Sequence, residues 1–158
     1  MIVKQFGEAA LRFKKAGGDG VEIQAAHAHG LLGGFLTPLY NKRTDEYGGD
    51  IHGRLRLTLE VIEEVRKQCG RDFIIDVRIS GDEYSDGGLT LNDMIYVSKQ
   101  LEKATVDLFM FLEEIPLKKE VQCQQVEQLR HHINMQVKKL KNMYLFQWQQ
   151  FRVSTNLG

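Results

Sequence analysis

Three short apolar runs alternate with three amphipathic segments before residue 113, and this alternation constrains the fold more than any other feature of the sequence. The apolar runs, VEIQAA, FIIDVRIS and VDLFMFL, have the length and composition of buried strands. The amphipathic segments repeat apolar residues at helical spacing over residues 2–16, 54–68 and 91–103, and Thr90 is a candidate N-cap for the third. The predicted order is helix, strand, helix, strand, helix, strand.

Continuous apolar strands separated by helices predict a parallel sheet that is covered by helices. Three strands cannot close a barrel, so the sequence predicts part of a larger α/β architecture. Polar loops follow the predicted strands at their C-terminal ends, where α/β barrels and open sheets bind ligands. The longest of these loops, residues 27–49, is rich in histidine, glycine and charged residues, which is typical of a functional loop.

Charge and cysteine content exclude several classes of protein. The 21 basic and 21 acidic residues balance, so no overall attraction to nucleic acid or to a membrane surface is expected. No apolar run approaches the roughly twenty residues of a membrane span, and no signal-peptide core begins the chain, which favours a cytoplasmic location. Cys69 and Cys123 lack metal-ligand spacing, so we expect free thiols and no metal site.

Three segments together carry a resemblance to a known family: DGVEIQAAH, then FLTPLYNKRTDEYGG followed by RLRL, and DVRISGDEYSDGGLTL. They resemble the Old Yellow Enzyme family of FMN-dependent NAD(P)H:flavin oxidoreductases, in the branch of the enoate and bile-acid-inducible reductases. The resemblance covers about residues 2–110. It implies a (β/α)8 TIM barrel, of which this chain would hold about strands four to six. It also implies hydride transfer from NAD(P)H through FMN to the activated C=C bond of a small enone- or enoate-type substrate.

The resemblance also assigns roles to individual residues. Gln24 and His27 fall where the family binds the substrate carbonyl, although Gln24 departs from the usual histidine. Gly30 falls where the family has its proton-donating tyrosine, and the neighbouring His29 is a weak candidate to replace it. Arg78 matches the arginine beside the pyrimidine edge of the flavin. Without the resemblance, a single histidine at a strand end or a single arginine would more often be structural.

The remaining residues of the long loop that match the family pattern are expected to have a mainly structural role. These residues are an Arg/Asp pair, a tyrosine and a glycine turn: Arg43, Asp45, Tyr47, Gly48 and Gly49. A long ordered loop needs such groups to satisfy its backbone. The implied FMN-phosphate contacts belong to later strands, so we expect this fragment alone to be inactive and to hold FMN and NAD(P)H only weakly.

Residues 112–158 form a predicted second unit after the partial barrel domain of residues 1–111. From residue 117 onward, seven basic residues stand against two acidic ones, and apolar residues recur at helical spacing from Val126 to Tyr144. One interpretation is a basic amphipathic helix that makes the chain a non-enzymatic oligomerisation or partner-binding module. Self-association through exposed sheet edges is an additional expectation.

A different interpretation of this tail is an out-of-frame translation. Back-translating residues 130–158 in a shifted frame permits a proline-histidine loop, an IKK helix and a PVATV strand. This order resembles the next segment of the family. Sequencing the gene across codons 108–116 tests this hypothesis, because an intact frame without a restoring single-base change would contradict it.

Overall fold

The computed structural model describes residues 1–28 and 30–112. Within them, four helices and three strands follow one another in the chain. The helices are α1 (Ile2–Lys15), α2 (Leu31–Leu36), α3 (Ile51–Cys69) and α4 (Leu91–Lys103). The strands are β1 (Gly20–Gln24), β2 (Ile74–Ser80) and β3 (Leu108–Leu112). The predicted order of three helix–strand pairs is confirmed, with one short helix added.

The three strands form a parallel sheet in the order β1-β2-β3. Gln24 on β1 pairs with Arg78 on β2, and Arg78 pairs in turn with Met110 on β3. Parallel neighbours require a crossover connection, and the segments that contain α3 and α4 provide the two crossovers. The parallel α/β sheet predicted from the apolar runs is therefore confirmed.

One face of the sheet packs against the helices and forms the core. Ile75, Val77 and Ile79 alternate along β2 and are completely buried, together with Val61 and Ile62 of α3. Each such side chain contributes roughly 1.5–3 kcal/mol when it is removed from water. The opposite face of β2 carries Asp76 and Arg78, which are only partly buried. The helical layer thus covers one side of the sheet among the described residues.

The ends of the long helices follow from local sequence. Thr90 caps α4, because its hydroxyl accepts from the backbone N–H of Asp93 while the Asp93 carboxylate accepts from the Thr90 backbone N–H. Asp50 caps α3 with a single hydrogen bond, because its side chain accepts from the backbone N–H of Gly53. Gly70 ends α3 with a φ of 79°, a conformation that favours glycine. The predicted N-cap at Thr90 is confirmed.

The long loop after β1 contains a helix that the sequence did not predict. Residues Leu31–Leu36, LLGGFL, form a helix of six residues without a side-chain cap. It escaped prediction because two of its residues are glycines, which disfavour helix, and because it is too short to show periodicity. Leu32 and Leu36 are almost fully buried, so tertiary packing stabilises this helix.

Two further observations complete the fold. In the part of the chain that the structure describes, no helix is both long and apolar enough to cross a bilayer. Residues 113–158 lie outside that part, and with them nearly all of the predicted tail, including Cys123 and the amphipathic segment.

Candidate functional site

The C-terminal ends of β1 and β2 bring predicted site residues to one edge of the sheet. Gln24 is the last residue of β1 and lies beside Arg78 in the strand register. The ladder continues one step further, because the Ala25 N–H donates to the Arg78 carbonyl across 2.8 Å. Arg78 is therefore fixed beside the chain that leads from Gln24 to His27. The prediction that polar loops meet at the C-terminal edge of the sheet is confirmed for β1 and β2.

Arg78 offers a buried donor with no partner of its own. Its Nη1 lies 3.6 Å from Oε1 of Glu22, a partly exposed ion pair between neighbouring strands. Its Nε is buried and makes no hydrogen bond. An unpaired buried donor costs roughly 1–3 kcal/mol, and a bound ligand is one group that would supply the missing acceptor.

Asp76 lies two residues before Arg78 on the same face of β2. Burial raises the pKa of its carboxyl group, and the nearby Glu22 raises it further. One of its oxygens, Oδ1, is buried without a hydrogen-bond partner. Two carboxylates and one guanidinium therefore share the face of the sheet that the helices do not cover.

His27 is held in an unusual backbone conformation. Its φ is 61°, in the left-handed region that a residue with a side chain rarely adopts. Its backbone N–H donates to Oγ of Ser80 across 3.3 Å, and its carbonyl accepts from the Gly30 N–H across 3.0 Å. Strained backbone of this kind persists only where neighbouring groups enforce it, and it is concentrated at functional sites.

Helix α2 approaches His27 closely because it presents a glycine there. A Cβ on Gly33 would lie 2.2 Å from the His27 carbonyl oxygen and 2.8 Å from that of Ala26. Both positions are closer than real Cβ atoms come to backbone atoms. Gly33 is one of the two glycines that weaken the helical pattern of LLGGFL. It is required for the close approach of α2 to His27.

A half-buried carboxylate joins the loop after β1 to the loop after β2. Oε2 of Glu83 accepts from the Thr37 hydroxyl and from the Leu89 backbone N–H, each at 2.7 Å. The Glu83 N–H in turn donates to the Leu89 carbonyl across 3.0 Å. Thr37 is completely buried, so this connection is protected from water.

Arg54 stabilises the far end of the long loop, and sequence reasoning gave it no individual role. Its Nε donates to the Leu36 carbonyl across 2.9 Å, and its Nη1 donates to the Gly49 carbonyl across 2.6 Å. Only 9% of its surface is exposed. The arginine-rich RLRL motif was a usable signal, because a buried arginine at the start of a helix needs acceptors nearby.

The other loop residues have the structural contacts expected of them. Arg43 and Asp45 form an exposed ion pair, and the hydrogen bond from Arg43 holds the pKa of Asp45 below its usual range. Gly49 has a φ of 72°, as a glycine turn requires. The side-chain amide of Asn41 donates to the Tyr47 carbonyl across 2.7 Å. These contacts order the loop without contributing reactive groups.

Three further positions named from the sequence offer less. Gly30 has an extended backbone immediately before α2 and no side chain that could donate a proton. His29 lies outside the described residues. Gln24 accepts from the Ala26 N–H across 3.3 Å through its own Oε1.

A cleft of about 630 Å³ lies at the other end of the sheet, before β2 and β3 begin. It is lined by basic residues that include Arg66, Lys67, Arg71 and Lys103. Arg66 is already engaged with Asp107 and with the carbonyls of Phe73 and Thr105. This cleft is separate from the edge that carries Gln24, His27 and Arg78, so we assign the candidate site to that edge.

Comparison with known proteins decides the family. The model of the NADH:flavin oxidoreductase / NADH oxidase family matches residues 1–150. The chain belongs to this family. The match continues beyond residue 110, where the predicted resemblance ended. Membership confirms the family that the DGVEIQAAH, NKRTDEYGG and DVRISGDEY segments indicated.

Individual relatives agree with the family model. The chain is 40% identical over 139 residues to an NADPH dehydrogenase of Halalkalibacterium halodurans, which covers 84% of this chain and 40% of that protein. It is 53% identical over 78 residues to a cinnamate reductase of Clostridium sporogenes, which covers 49% of this chain and 12% of the relative. An Old Yellow Enzyme homologue from Zymomonas mobilis superposes with a TM-score of 0.62 at 30% identity, over 71% of this chain and 32% of that structure.

The chain thus spans less than half the length of these curated relatives. The family and its NADPH dehydrogenase members imply FMN and NAD(P)H as cofactors. The described residues fit a flavin at one point, because the buried Nε of Arg78 lacks an acceptor at the edge where the site lies.

Proposed function

We propose that this chain supplies strands four to six of the (β/α)8 barrel of an FMN-dependent NAD(P)H oxidoreductase of the Old Yellow Enzyme type. The observation that carries the proposal is the unpaired, buried Nε of Arg78, which lies beside Gln24 at the edge that leads to His27. Parallel α/β proteins bind cofactors at this end of their strands. This proposal includes the barrel, the numbering of its strands and the role of each residue.

Each residue of the site contributes a separate function. A bound FMN would supply the hydride-transfer chemistry between NAD(P)H and the acceptor. Arg78 would hold it by placing a positive charge and a free donor beside the flavin. Gln24 and His27 donate hydrogen bonds to the acceptor carbonyl and polarise the conjugated C=C bond. His27 matches the residue that the family pattern has at its position, whereas Gln24 departs from the pattern, so we assign most of the polarisation to His27.

The acceptor class in this proposal is a small enone or enoate. Support comes from the donor pair of Gln24 and His27, which suits a carbonyl or carboxylate oxygen, and from the similarity to a cinnamate reductase. The proton for the second carbon does not come from residue 30, which is glycine. His29 remains a candidate donor from sequence alone.

Flavin titration tests the proposal directly. FMN fluorescence is followed while the 158-residue protein is added, for the wild type, Arg78→Ala and the control Arg71→Ala at the other end of the sheet. A charged hydrogen bond contributes about 1.5–3 kcal/mol, so Arg78→Ala should weaken binding at least about tenfold while Arg71→Ala leaves it unchanged. Absence of saturable binding in the wild type, or equal binding in all three proteins, would contradict the proposal.

The affinity of this chain alone should be low. Because the FMN-phosphate contacts implied by the resemblance belong to later strands, the contacts from this chain should exceed by only a small margin the roughly 4–15 kcal/mol of translational and rotational freedom lost on association, so saturation should need a high protein concentration. We therefore expect desalting to remove FMN from the protein, so that no stoichiometric yellow absorbance remains. The alternative of a partner-binding module rests on the tail, which lies outside the described residues, and truncation near residue 113 followed by measurement of the oligomeric state tests it.

A further inference from the structure

We infer that Ser80, the last residue of β2, and Glu83, in the loop that follows β2, are positioning residues. They hold the segment from His27 to Thr37 at the candidate site. This inference deepens the proposed function, on which it rests, because His27 is the residue that polarises the acceptor there. The two residues act at opposite ends of the segment. Neither is assigned a role by the resemblance to the family.

Ser80 acts at the start of the segment. It is the last residue of β2 and is only 5% exposed, and its Oγ accepts from the His27 N–H across 3.3 Å. The last bond of the β1–β2 ladder is the one that Ala25 donates to the Arg78 carbonyl, and the N–H of His27, two residues later, donates to a side chain instead. Ser80 supplies that acceptor from the neighbouring strand. The position of the His27 backbone therefore depends on a hydroxyl two residues beyond Arg78.

Glu83 acts at the end of the segment. Its carboxylate accepts from the Thr37 hydroxyl at 2.7 Å, and the same oxygen accepts from the Leu89 N–H. Thr37 follows α2 directly, and the helix lies against the His27 carbonyl through Gly33. Displacement of Thr37 would therefore move α2 along the contact that supports His27. Hydrogen bonds to a charged acceptor are stronger than neutral ones, which suits this role.

A buried serine that does not contact His27 provides a control for Ser80. Ser98 is a matched control, because it is 8% exposed and its hydroxyl also makes one hydrogen bond, to the Met94 carbonyl within α4. Ser80→Ala and Ser98→Ala each delete one buried hydroxyl. Only the first deletion removes a contact to His27.

Nuclear magnetic resonance of the 158-residue protein without flavin tests the role of Ser80. The exchange rate of the His27 amide hydrogen and the His27 ring resonances, assigned with His27→Asn, are compared among the variants. Because one hydrogen bond contributes roughly 0.5–1.5 kcal/mol, Ser80→Ala should speed His27 amide exchange roughly two- to tenfold and shift its ring resonances. Ser98→Ala should leave both unchanged, and Ser80→Thr, which keeps a hydroxyl, should restore the wild-type values.

Equal His27 exchange in Ser80→Ala and the wild type would overturn the inference, and so would an equal effect of Ser98→Ala. If Ser80→Ala does not fold, Ser80→Thr decides, since a folded threonine variant with fast His27 exchange also overturns it. The contact with Glu83 is tested at Thr37: Thr37→Val should speed exchange of the His27 amide hydrogen, and Thr37→Ser should preserve the wild-type rate. Identical rates in these two variants would show that Glu83 does not position His27. These readouts need no flavin, so failure of the FMN titration contradicts the proposed function alone.

Discussion

Glu22 on β1 and Asp76 on β2 lie directly opposite each other in the parallel sheet. Burial makes ionisation of Asp76 costly, and repulsion from the like charge of Glu22 adds to that cost, so the pKa of Asp76 is raised above the ordinary value of 3.8. The native state then binds a proton more readily than the unfolded chain. The stabilisation from this group is fully present below the ordinary pKa and is lost as the pH rises through the raised native pKa.

Asp76→Asn should therefore stabilise the protein at pH 7, because the amide carries no charge to bury. The advantage should disappear as the pH falls below about 4, where the aspartate is protonated in both states. Urea unfolding of wild type and variant across this pH range measures the difference. Asp72→Asn, at an exposed position near the start of β2, is the control and should show no comparable gain. A less stable Asp76→Asn protein at pH 7 would contradict the expectation.

Arg54→Ala should destabilise the loop and the helix end together. The change leaves the carbonyl of the buried Leu36 without its donor, whereas Gly49 is exposed and its carbonyl can bind water instead. One unpaired buried group costs roughly 1–3 kcal/mol, so we expect a loss of about 1–3 kcal/mol in unfolding free energy. Arg56→Ala removes an exposed arginine two residues later and should stay within about 0.5 kcal/mol of the wild type. Equal losses for the two variants would show that the hydrogen bonds of Arg54 to Leu36 and Gly49 do not stabilise the loop.

Gly33→Ala tests the close approach of α2 to His27. The added methyl group would overlap the carbonyl oxygens of His27 and Ala26, so α2 must move away. We expect a loss of about 1–3 kcal/mol, as for other overpacked positions, and a changed His27 ring environment. Gly30→Ala is the matched control, because its Cβ would lie 3.5 Å from the same His27 oxygen in ordinary contact. A well-folded Gly33→Ala protein with wild-type stability would refute the packing argument.

The sequence predicted the regular elements well because each carries its own local signal. Ile75, Val77 and Ile79 belong to a continuous apolar run, and Thr90 with Asp93 forms a capping box, so β2 and the start of α4 needed no tertiary information. The family resemblance placed Gln24 and Arg78 at the same strand edge, and the register agrees.

The contacts that shape the candidate site were not predictable in the same way. Ser80 and Glu83 are 53 and 46 positions from their partners His27 and Thr37, and nothing local to either residue signals the pairing. The left-handed backbone conformation of His27 was also not predictable, because no pattern in the sequence around it indicates that conformation. Only the meeting of two loops at one sheet edge creates these relationships.

Cys69 gives a final prediction from burial alone. It ends α3 with 2% of its surface exposed, and burial raises the pKa of its thiol. Because the thiolate is the reactive form, Cys69 should be alkylated slowly at neutral pH in the native protein. In a Cys123→Ser background, which leaves Cys69 as the remaining thiol of the chain, iodoacetamide labelling followed by mass spectrometry measures the rate. We expect native labelling to be at least about tenfold slower than labelling in urea, since opening of the α3 end must precede reaction. Labelling at the unfolded rate would show that the helix end and the strand that follows it are not packed as described.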